Sequence, residues 1–379
     1  MALYDDEHDQ FRSMVKAFIE RSVEPKMERW NEAGIVDRSF FTEAGSVGLL
    51  GHRVPTRWGG PGIDDYRFSA VLLEELCRPG HASLGCSLTL QNDVVLGYLL
   101  SLADDAQCER WLPGVVTGDK VLAVAMTEPN TGSDLGGIAT KARREGDTYV
   151  VNGAKTFISN GHNADIFVVV VRTSEDRHRG LSLLVVERDT PGFTVGRNLS
   201  KLGLHAQDTS ELAFDDAVVP AENLLGEEGG GFAALMSNLP EERLDVAVMA
   251  VAAAEGAFER TLNYVKNRKA FGQPIGSFQN SRFVMAEIAT ELTVARTYID
   301  HCVQLHVDGK LTPEEAAKAK WWTTELQFSV AHRCLQLHGG YGFMTEYSIS
   351  RDFADARVQT IYGGTTEIMK EVIGRSLGL

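Results

Sequence analysis

The chain has 379 residues, of which 44% are hydrophobic, and carries a formal charge of −15 at pH 7. This length exceeds what one compact core usually accommodates and predicts two or three domains, while the hydrophobic content is ordinary for a globular protein. The negative charge excludes nucleic acid or an anionic membrane as the expected main partner.

The first residues and the cysteines favour a cytoplasmic protein. Residues 1–7 are acidic and lack both the basic-then-apolar order of a signal peptide and the Arg-rich character of a mitochondrial transit segment. The longest apolar stretch, near 246–254, is far shorter than the ~20 residues of a membrane span. The five cysteines are odd in number and include no Cys-x-x-Cys pair, so reduced thiols are expected.

Residues 1–120 form the first predicted domain, which is helical. Its apolar residues recur at the three- and four-residue spacing of an amphipathic helix. This spacing is clearest at Phe11, Val15, Phe18 and Ile19, and again at Val71, Leu72 and Leu76. A turn-rich loop at 57–62, Arg-Trp-Gly-Gly-Pro-Gly, separates the two stretches.

Residues 121–230 form the second predicted domain, which is built from β-strands. Short β-branched runs at 149–151, 166–171 and 181–186 are separated by Asn-Gly and Pro-Gly pairs. Strands at this spacing, without helices between them, predict an antiparallel barrel or sandwich. The Glu-Glu-Gly-Gly-Gly stretch at 227–231 marks the end of this domain.

Residues 231–379 form the third predicted domain, a helical bundle. Apolar residues return to the helical period over long segments, for example at Val284, Ile288, Leu292 and Ala295 and at Trp321, Leu326 and Val330. Long amphipathic, alanine-rich helices are typical of a bundle. The fold class is therefore an α+β multidomain protein with the order helical, β, helical.

Four segments resemble, in the same order, segments of the acyl-CoA dehydrogenases, and the resemblance covers essentially the whole chain. They are Ala-Met-Thr-Glu-Pro-Asn-Thr-Gly-Ser-Asp at 125–134, Arg-Lys-Ala-Phe-Gly-Gln-Pro at 268–274, Gln-Leu-His-Gly-Gly-Tyr-Gly at 336–342 and Ile-Tyr-Gly-Gly-Thr-Thr-Glu at 361–367. The resemblance implies an FAD-dependent enzyme of fatty acid β-oxidation that converts an acyl-CoA to a trans-2-enoyl-CoA. It also implies electron-transfer flavoprotein as the electron acceptor. No Gly-x-Gly-x-x-Gly follows a predicted strand and opens a helix, so a Rossmann site has no support.

One group of flavin contacts is implied in the β domain. By resemblance it comprises Met126, Thr127, Gly132, Ser133, Phe157 and Ser159, with Ser133 also assigned to the substrate. Small and hydroxyl residues suit this task because their backbone and Oγ groups approach the flavin and its pyrophosphate closely. From the residues alone, 131–134 is more typical of a turn, and Phe157 is more typical of a core aromatic.

A second group of cofactor contacts is implied on the C-terminal domain. By resemblance it comprises Arg268, Phe271, Gln279, Gln336, Gly339, Gly340, Thr365 and Glu367. Arg268 has a guanidinium fork that matches phosphate bidentately, although an isolated Arg-Lys is also typical of a solvated helix end. Since Arg268, Gln279, Gln336, Gly339 and Gly340 resemble residues that reach a neighbouring subunit's FAD, the resemblance implies a homo-oligomer, and the family suggests a tetramer built as a dimer of dimers.

Gly363 stands where most members of the family carry the catalytic Glu, in a Tyr-Glu-Gly-Thr segment. A subset resembling the long-chain and isovaleryl enzymes instead carries the base in a Glu-Arg pair that opens a helix, and this chain has Glu242 and Arg243 after Pro240. We therefore assign the base to Glu242. By resemblance, Gly363 is assigned to the substrate, because a glycine keeps the backbone N–H that in the family donates to the thioester oxygen. Arg243 is also assigned to the substrate site, where it would orient the carboxylate or help close the site, with simple structural pairing as the alternative. Glu241 is the rival base and is expected to face solvent.

The absence of the usual base leaves two other functions open. One is a non-catalytic flavin- or acyl-CoA-binding subunit that supports a partner dehydrogenase chain. The other is an acyl-CoA oxidase, which the length disfavours because those relatives usually carry extra C-terminal helices. The histidines lack metal-ligand spacing, so no metal is expected. Lys318 and Lys320 are expected at the surface.

Overall fold

A computed structural model describes residues 3–379 and confirms the predicted order of helical, β and helical blocks. The described part of the first block contains seven α-helices. They are α1 (Asp6–Phe18), α2 (Met27–Ala33), α3 (Ser39–Ser46), α4 (Tyr66–Cys77), α5 (Ala82–Thr89), α6 (Val95–Leu102) and α7 (Asp105–Thr117). Asp5 and Asp104 cap α1 and α7 in capping boxes, which explains why both helices begin where they do.

The second block is a mixed eight-stranded sheet. Its strands are β1 (Leu122–Ala125), β2 (Lys141–Glu145), β3 (Thr148–Ser159), β4 (Ile166–Arg172), β5 (Leu181–Glu187), β6 (Phe193–Asn198), β7 (Thr209–Pro220) and β8 (Leu224–Leu225). The order is β6-β7-β3-β2-β4-β5-β8, with β1 beside β4. Most pairs are antiparallel, but β1 and β2 pair with β4 in parallel. β4 and β5 are buried almost throughout, and their sequences are accordingly mostly apolar instead of alternating, with Ser182 as the one polar residue inside the buried part of β5.

The third block is organised around one long helix. Its elements are α8 (Gly231–Asn267), a hairpin of β9 (Lys269–Ala270) and β10 (Gln273–Pro274), α9 (Gln279–Val307), α10 (Pro313–His338), α11 (Ser348–Gln359) and α12 (Thr366–Ser376). α8 packs against α4, α9 and α10. A Cβ on Gly256 would lie 1.8 Å from the carbonyl oxygen of Arg78, so only glycine permits the close approach of α8 to the end of α4.

The prediction that the Glu-Arg pair opens a helix is wrong. Pro240 lies inside α8, and the helix begins at Gly231. The residues before the proline include Ala233, Ala234 and Leu235, which are strong helix formers. The helix therefore continues through the proline, although Pro240 has no N–H to donate to the helical ladder.

Buried side chains join the helical and β blocks. One core cluster contains Phe18 and Phe40 from the first block together with Tyr149 and Phe214 from the sheet. The five cysteines are buried free thiols. No helix within residues 3–379 is long and apolar enough to cross a membrane.

Candidate active site

A cavity of about 620 Å³ lies where the sheet, α8 and the turn before α12 meet. The sheet side contributes Met126, Thr127, Gly132, Ser133, Phe157 and Ser159. The helical side contributes Glu242, Arg243 and Gly363, with apolar neighbours Leu90, Val94, Val246 and Met249. The structure thus brings the predicted flavin contacts of the β domain to one cavity with the predicted base and the predicted substrate contacts.

A buried ion pair holds the sheet side of this cavity. Lys155 Nζ donates to the carbonyl of Met126 at 3.0 Å and to Glu128 Oε1 at 2.8 Å. Glu128 also accepts the backbone N–H groups of Ala139 and Thr140 at 2.7 and 2.9 Å. Because these four hydrogen bonds fix both ends of the 126–140 segment, the residues within it are presented to the cavity from a rigid support.

The interior of that segment is open toward the cavity. A Cβ added to Gly132 would meet no atom within 4 Å. Thr127 and Ser133 beside it line the same wall, as does Ser159 at the end of β3. The hydrogen-bonded turn lies at 128–131, where Glu128 and Thr131 exchange backbone hydrogen bonds, and residues 132–133 form a bend directly after it, so the turn predicted at 131–134 is displaced. The bend supplies small and hydroxyl groups with free space in front of Gly132.

Phe157 is turned out of the sheet and into the cavity. Its side chain is 66% exposed and its φ is +61°, which is uncommon for a bulky residue. The pairing of β3 with β7 shifts register between Lys155 and Ile158, and such irregularities redirect side chains. The interpretation of Phe157 as a core aromatic is therefore wrong, and one face of its ring is free to pack on a planar group.

Glu242 lies on the cavity wall in a setting that suits a proton acceptor. Burial raises the pKa of Glu242 to about 7, and this rise is opposed by a hydrogen bond from Tyr98 and by the charge of Arg243. The Tyr98 hydroxyl donates to Glu242 Oε1 at 2.7 Å. A carboxylate with a pKa near neutrality is matched to proton transfer at neutral pH.

Gly363 faces the same cavity from the turn before α12. Its φ is +63° and that of Gly364 is +100°, conformations that glycine adopts most readily. A Cβ at position 363 would meet only Val246 Cγ2, at 3.8 Å, so the space where a side chain would stand is open. The carbonyl of Gly363 accepts a hydrogen bond from Arg243 Nε at 3.4 Å, which connects the turn to α8.

The prediction that Glu241 faces solvent is wrong. Its side chain is 18% exposed, forms an ion pair with Arg53 and lies 3.2 Å from His306 Nε2. Burial alone would raise the pKa of Glu241, but the hydrogen bond from His306 and the charge of Arg53 outweigh it and hold the pKa below its usual value. Since successive residues of a helix point ~100° apart, Glu241 turns away from the cavity that Glu242 lines.

A second group of predicted cofactor contacts gathers at a separate surface pocket. Arg268, Gln336, Gly339 and Gly340 line this pocket of about 530 Å³, which shares no lining residue with the Glu242 cavity. The Arg268 guanidinium lies 5.1 Å from the centre of the Tyr341 ring. These residues are therefore close to one another but do not join the base within one chain.

Four predicted cofactor contacts lie outside both pockets. Phe271 is 95% exposed at the tip of the β9–β10 hairpin, and Gln279 is exposed at the start of α9. Thr365 caps α12 by accepting the N–H of Ile368, and Glu367 is exposed in the first turn of that helix. The cofactor roles of these four residues remain predictions.

Two residues of the site were not anticipated. Tyr98 lies on α6, 144 positions before its partner Glu242, and no local pattern links them. Lys320 was expected at the surface, which is wrong, because its side chain is fully buried and its Nζ donates to the carbonyl of Gly364 at 2.6 Å. A signal for Lys320 existed, since it falls between Ala316 and Thr323 on the buried stripe of α10.

Comparison with known proteins gives consistent matches over nearly the whole chain. The models of the acyl-CoA dehydrogenase N-terminal, middle and C-terminal domains match residues 5–119, 123–217 and 229–378. The chain is 44% identical to the mitochondrial long-chain specific acyl-CoA dehydrogenase of Sus scrofa over 378 residues, which are 99% of this chain and 87% of that protein.

Solved structures give the same result. An acyl-CoA dehydrogenase from Geobacillus kaustophilus superposes with a TM-score of 0.97 and 48% identity, covering 99% of both chains. A glutaryl-CoA dehydrogenase from Mycobacterium smegmatis, solved in complex with FADH2, superposes with a TM-score of 0.92 and 28% identity over 99% of this chain and 95% of that one.

Proposed function

Because the chain belongs to the acyl-CoA dehydrogenase family, we propose that Glu242 is the base of its α,β-dehydrogenation of an acyl-CoA thioester. Members of this family are FAD-dependent oxidoreductases, and this chain is one of them. The observation that carries the assignment is the cavity, in which a partly buried carboxylate with a pKa of about 7 is in one wall and the side-chain-free position 363 is in another.

The residues of the sheet side fit FAD. Phe157 offers an exposed ring face, and Thr127, Ser133 and Ser159 bring hydroxyl groups to the wall beside the open space at Gly132. FAD, when bound, supplies the acceptor for the hydride that leaves Cβ. Arg268 and its neighbours would hold the adenosine and pyrophosphate portion of the FAD of a neighbouring subunit, which requires at least a homodimer. The family resemblance supports a homotetramer built as a dimer of dimers.

The chain's own residues then handle the proton and the developing charge. Glu242 takes the α-proton, and its Tyr98 hydrogen bond orients the carboxylate. The N–H of Gly363 donates to the thioester oxygen, and Arg243 supports that turn by donating to the Gly363 carbonyl. The surrounding apolar residues, such as Leu90, exclude water and favour an aliphatic acyl chain.

We further propose electron-transfer flavoprotein as the physiological electron acceptor, as the family resemblance implies. The same resemblance supports a division of the chain into domains at 1–120, 121–230 and 231–379. Neither assignment affects the chemistry at Glu242.

Anaerobic titration of the purified protein with acyl-CoAs of different chain length and branching tests the function. The dehydrogenase bleaches its flavin with at least one of them and forms the 2-enoyl-CoA. A non-catalytic subunit, the alternative raised by Gly363, stays yellow with all of them. Hydrogen peroxide formed in stoichiometric amount in air would indicate an oxidase instead.

A further inference from the structure

Lys320 is a buried basic residue that the chemistry described above does not use. Its side chain is fully buried in α10, and its Nζ donates to the carbonyl of Gly364 at 2.6 Å. Within residues 3–379, no carboxylate lies within salt-bridge distance of it. Burial, together with the charge of Arg243, lowers the pKa of Lys320 to about 7. Removing an ammonium from water without an opposite charge costs several kcal/mol, so a specific use of this group is expected.

The group that Lys320 holds is a turn that has little rigidity of its own. Gly363 and Gly364 both have positive φ values, and two adjacent glycines leave a backbone with wide conformational freedom. Two basic side chains from different helices donate hydrogen bonds to consecutive carbonyls of this turn. Arg243 of α8 donates to Gly363, and Lys320 of α10 donates to Gly364. Each contact fixes one peptide plane.

The same turn presents donors to the cavity. Within residues 3–379, the N–H groups of Gly363 and Gly364 donate to no backbone or side-chain acceptor, and both residues line the cavity that Glu242 faces. A free N–H stabilises a developing oxyanion only if its direction is fixed before the reaction. The Gly363 N–H lies in the preceding peptide plane, which it shares with the Tyr362 carbonyl. The two carbonyl contacts therefore act on its direction by restraining the glycine backbone that follows it.

We propose that Lys320 is a positioning residue for the dehydrogenation. By holding the Gly364 carbonyl, it fixes the turn so that the Gly363 N–H points at the thioester oxygen while Glu242 takes the α-proton. This inference rests on the proposed function, because it requires the thioester to lie between Glu242 and Gly363.

Lys320→Met tests the inference, since methionine fills the buried space but has no donor. We expect flavin reduction at saturating acyl-CoA to slow ~10- to 100-fold, less than the 10²–10³-fold typical of removing a direct oxyanion donor. FAD content and substrate affinity should stay near those of the wild type. Lys318→Met is the matched control, because Lys318 lies on the same helix and pairs with Glu314 and Glu315 instead. Its reduction rate should not change.

A second readout separates positioning from simple packing. A 3-thiaacyl-CoA cannot be oxidised, but its α-anion forms a long-wavelength charge-transfer band with oxidised flavin, so the band reports how well the site stabilises the enolate. The band should weaken in Lys320→Met and persist in Lys318→Met. An unchanged band and an unchanged reduction rate in Lys320→Met would overturn the proposal, as would lowered thermal stability without loss of the band.

If Lys320→Met fails to fold, the same measurements are made on Lys320→Gln. Glutamine keeps a polar group in the buried site, but its amide nitrogen is one bond short of the position of Nζ, so slow reduction is again expected. Wild-type rates in Lys320→Gln would refute the role of Lys320. A wild-type protein that leaves its flavin oxidised with every acyl-CoA would instead contradict the proposed function, and the two failures are therefore distinct.

Discussion

Tyr98→Phe removes the hydroxyl that donates to Glu242 Oε1 and keeps the buried ring. A hydrogen bond to a charged group contributes about 1.5–3 kcal/mol, and one pKa unit corresponds to about 1.4 kcal/mol. The hydrogen bond stabilises the ionised carboxylate, so its loss should raise the pKa of Glu242 from about 7 by roughly one to two units. Because the base acts only when it is ionised, a higher pKa lowers the activity at neutral pH.

The assay is the pH dependence of kcat/KM, which reports the free enzyme. In Tyr98→Phe the acidic limb should move upward by at least one unit, and activity at pH 7 should fall about fivefold or more because the ionised fraction falls from about one half to about one tenth. Activity should recover at high pH. Tyr362→Phe is the control, since Tyr362 lines the same cavity but its hydroxyl donates to Gln359. An acidic limb that stays in place in Tyr98→Phe would refute the reasoning.

Three further predictions concern the neighbours of the site. Glu241→Gln should lower the thermal midpoint of unfolding, because breaking a buried ion pair costs about 3–5 kcal/mol. Flavin reduction should stay nearly intact, because the surroundings of Glu242 do not change. A loss of reduction without a loss of stability would favour Glu241 as the base. Arg268→Ala should weaken FAD retention in gel filtration, because a charge-assisted phosphate contact is lost, and unchanged retention would count against its assignment. Gly363→Glu alone should impair reduction, since a positive φ strains the new residue by ~1–2 kcal/mol and two carboxylates would share the cavity. In a Glu242→Gly background, the same substitution should restore measurable turnover. Absence of rescue with FAD still bound would mean that positions 242 and 363 do not serve one substrate.

The block order of the fold was predictable because the periodicity of the sequence changes with each block. Phe18 and Val15 on α1 and the continuous apolar runs of β4 and β5 are buried as their patterns require. Local patterns did not locate the start of α8, since Pro240 is a boundary signal that the helix formers before it override. The parallel pairings of β4 depend on the path of the chain between strands, which periodicity does not encode.

The grouping of Thr127, Gly132 and Ser133 along one cavity wall was predictable, because a short motif contributes all three, while their cofactor contacts remain predictions. The site was not predictable where the chemistry depends on residues far apart in sequence. Glu241 is adjacent to Glu242, yet its environment is set by Arg53 and His306, which lie on other elements. A sequence shows that two acidic residues are neighbours but not what each side of the helix packs against. The packing decides which of the two carboxylates is ion-paired and which lines the cavity as the candidate base.

The assignment of the base is tested most directly by flavin reduction in Glu242→Gln, measured anaerobically in a single turnover with the acyl-CoA that best bleaches the wild type. Glutamine keeps the size of the side chain and can still contact Tyr98, but it cannot accept a proton. We predict that FAD and substrate stay bound, with a perturbed flavin spectrum, while the reduction rate falls by at least the 10²–10⁴-fold typical of losing a general base. Reduction at the wild-type rate in Glu242→Gln, with Glu241→Gln inactive, would contradict the assignment.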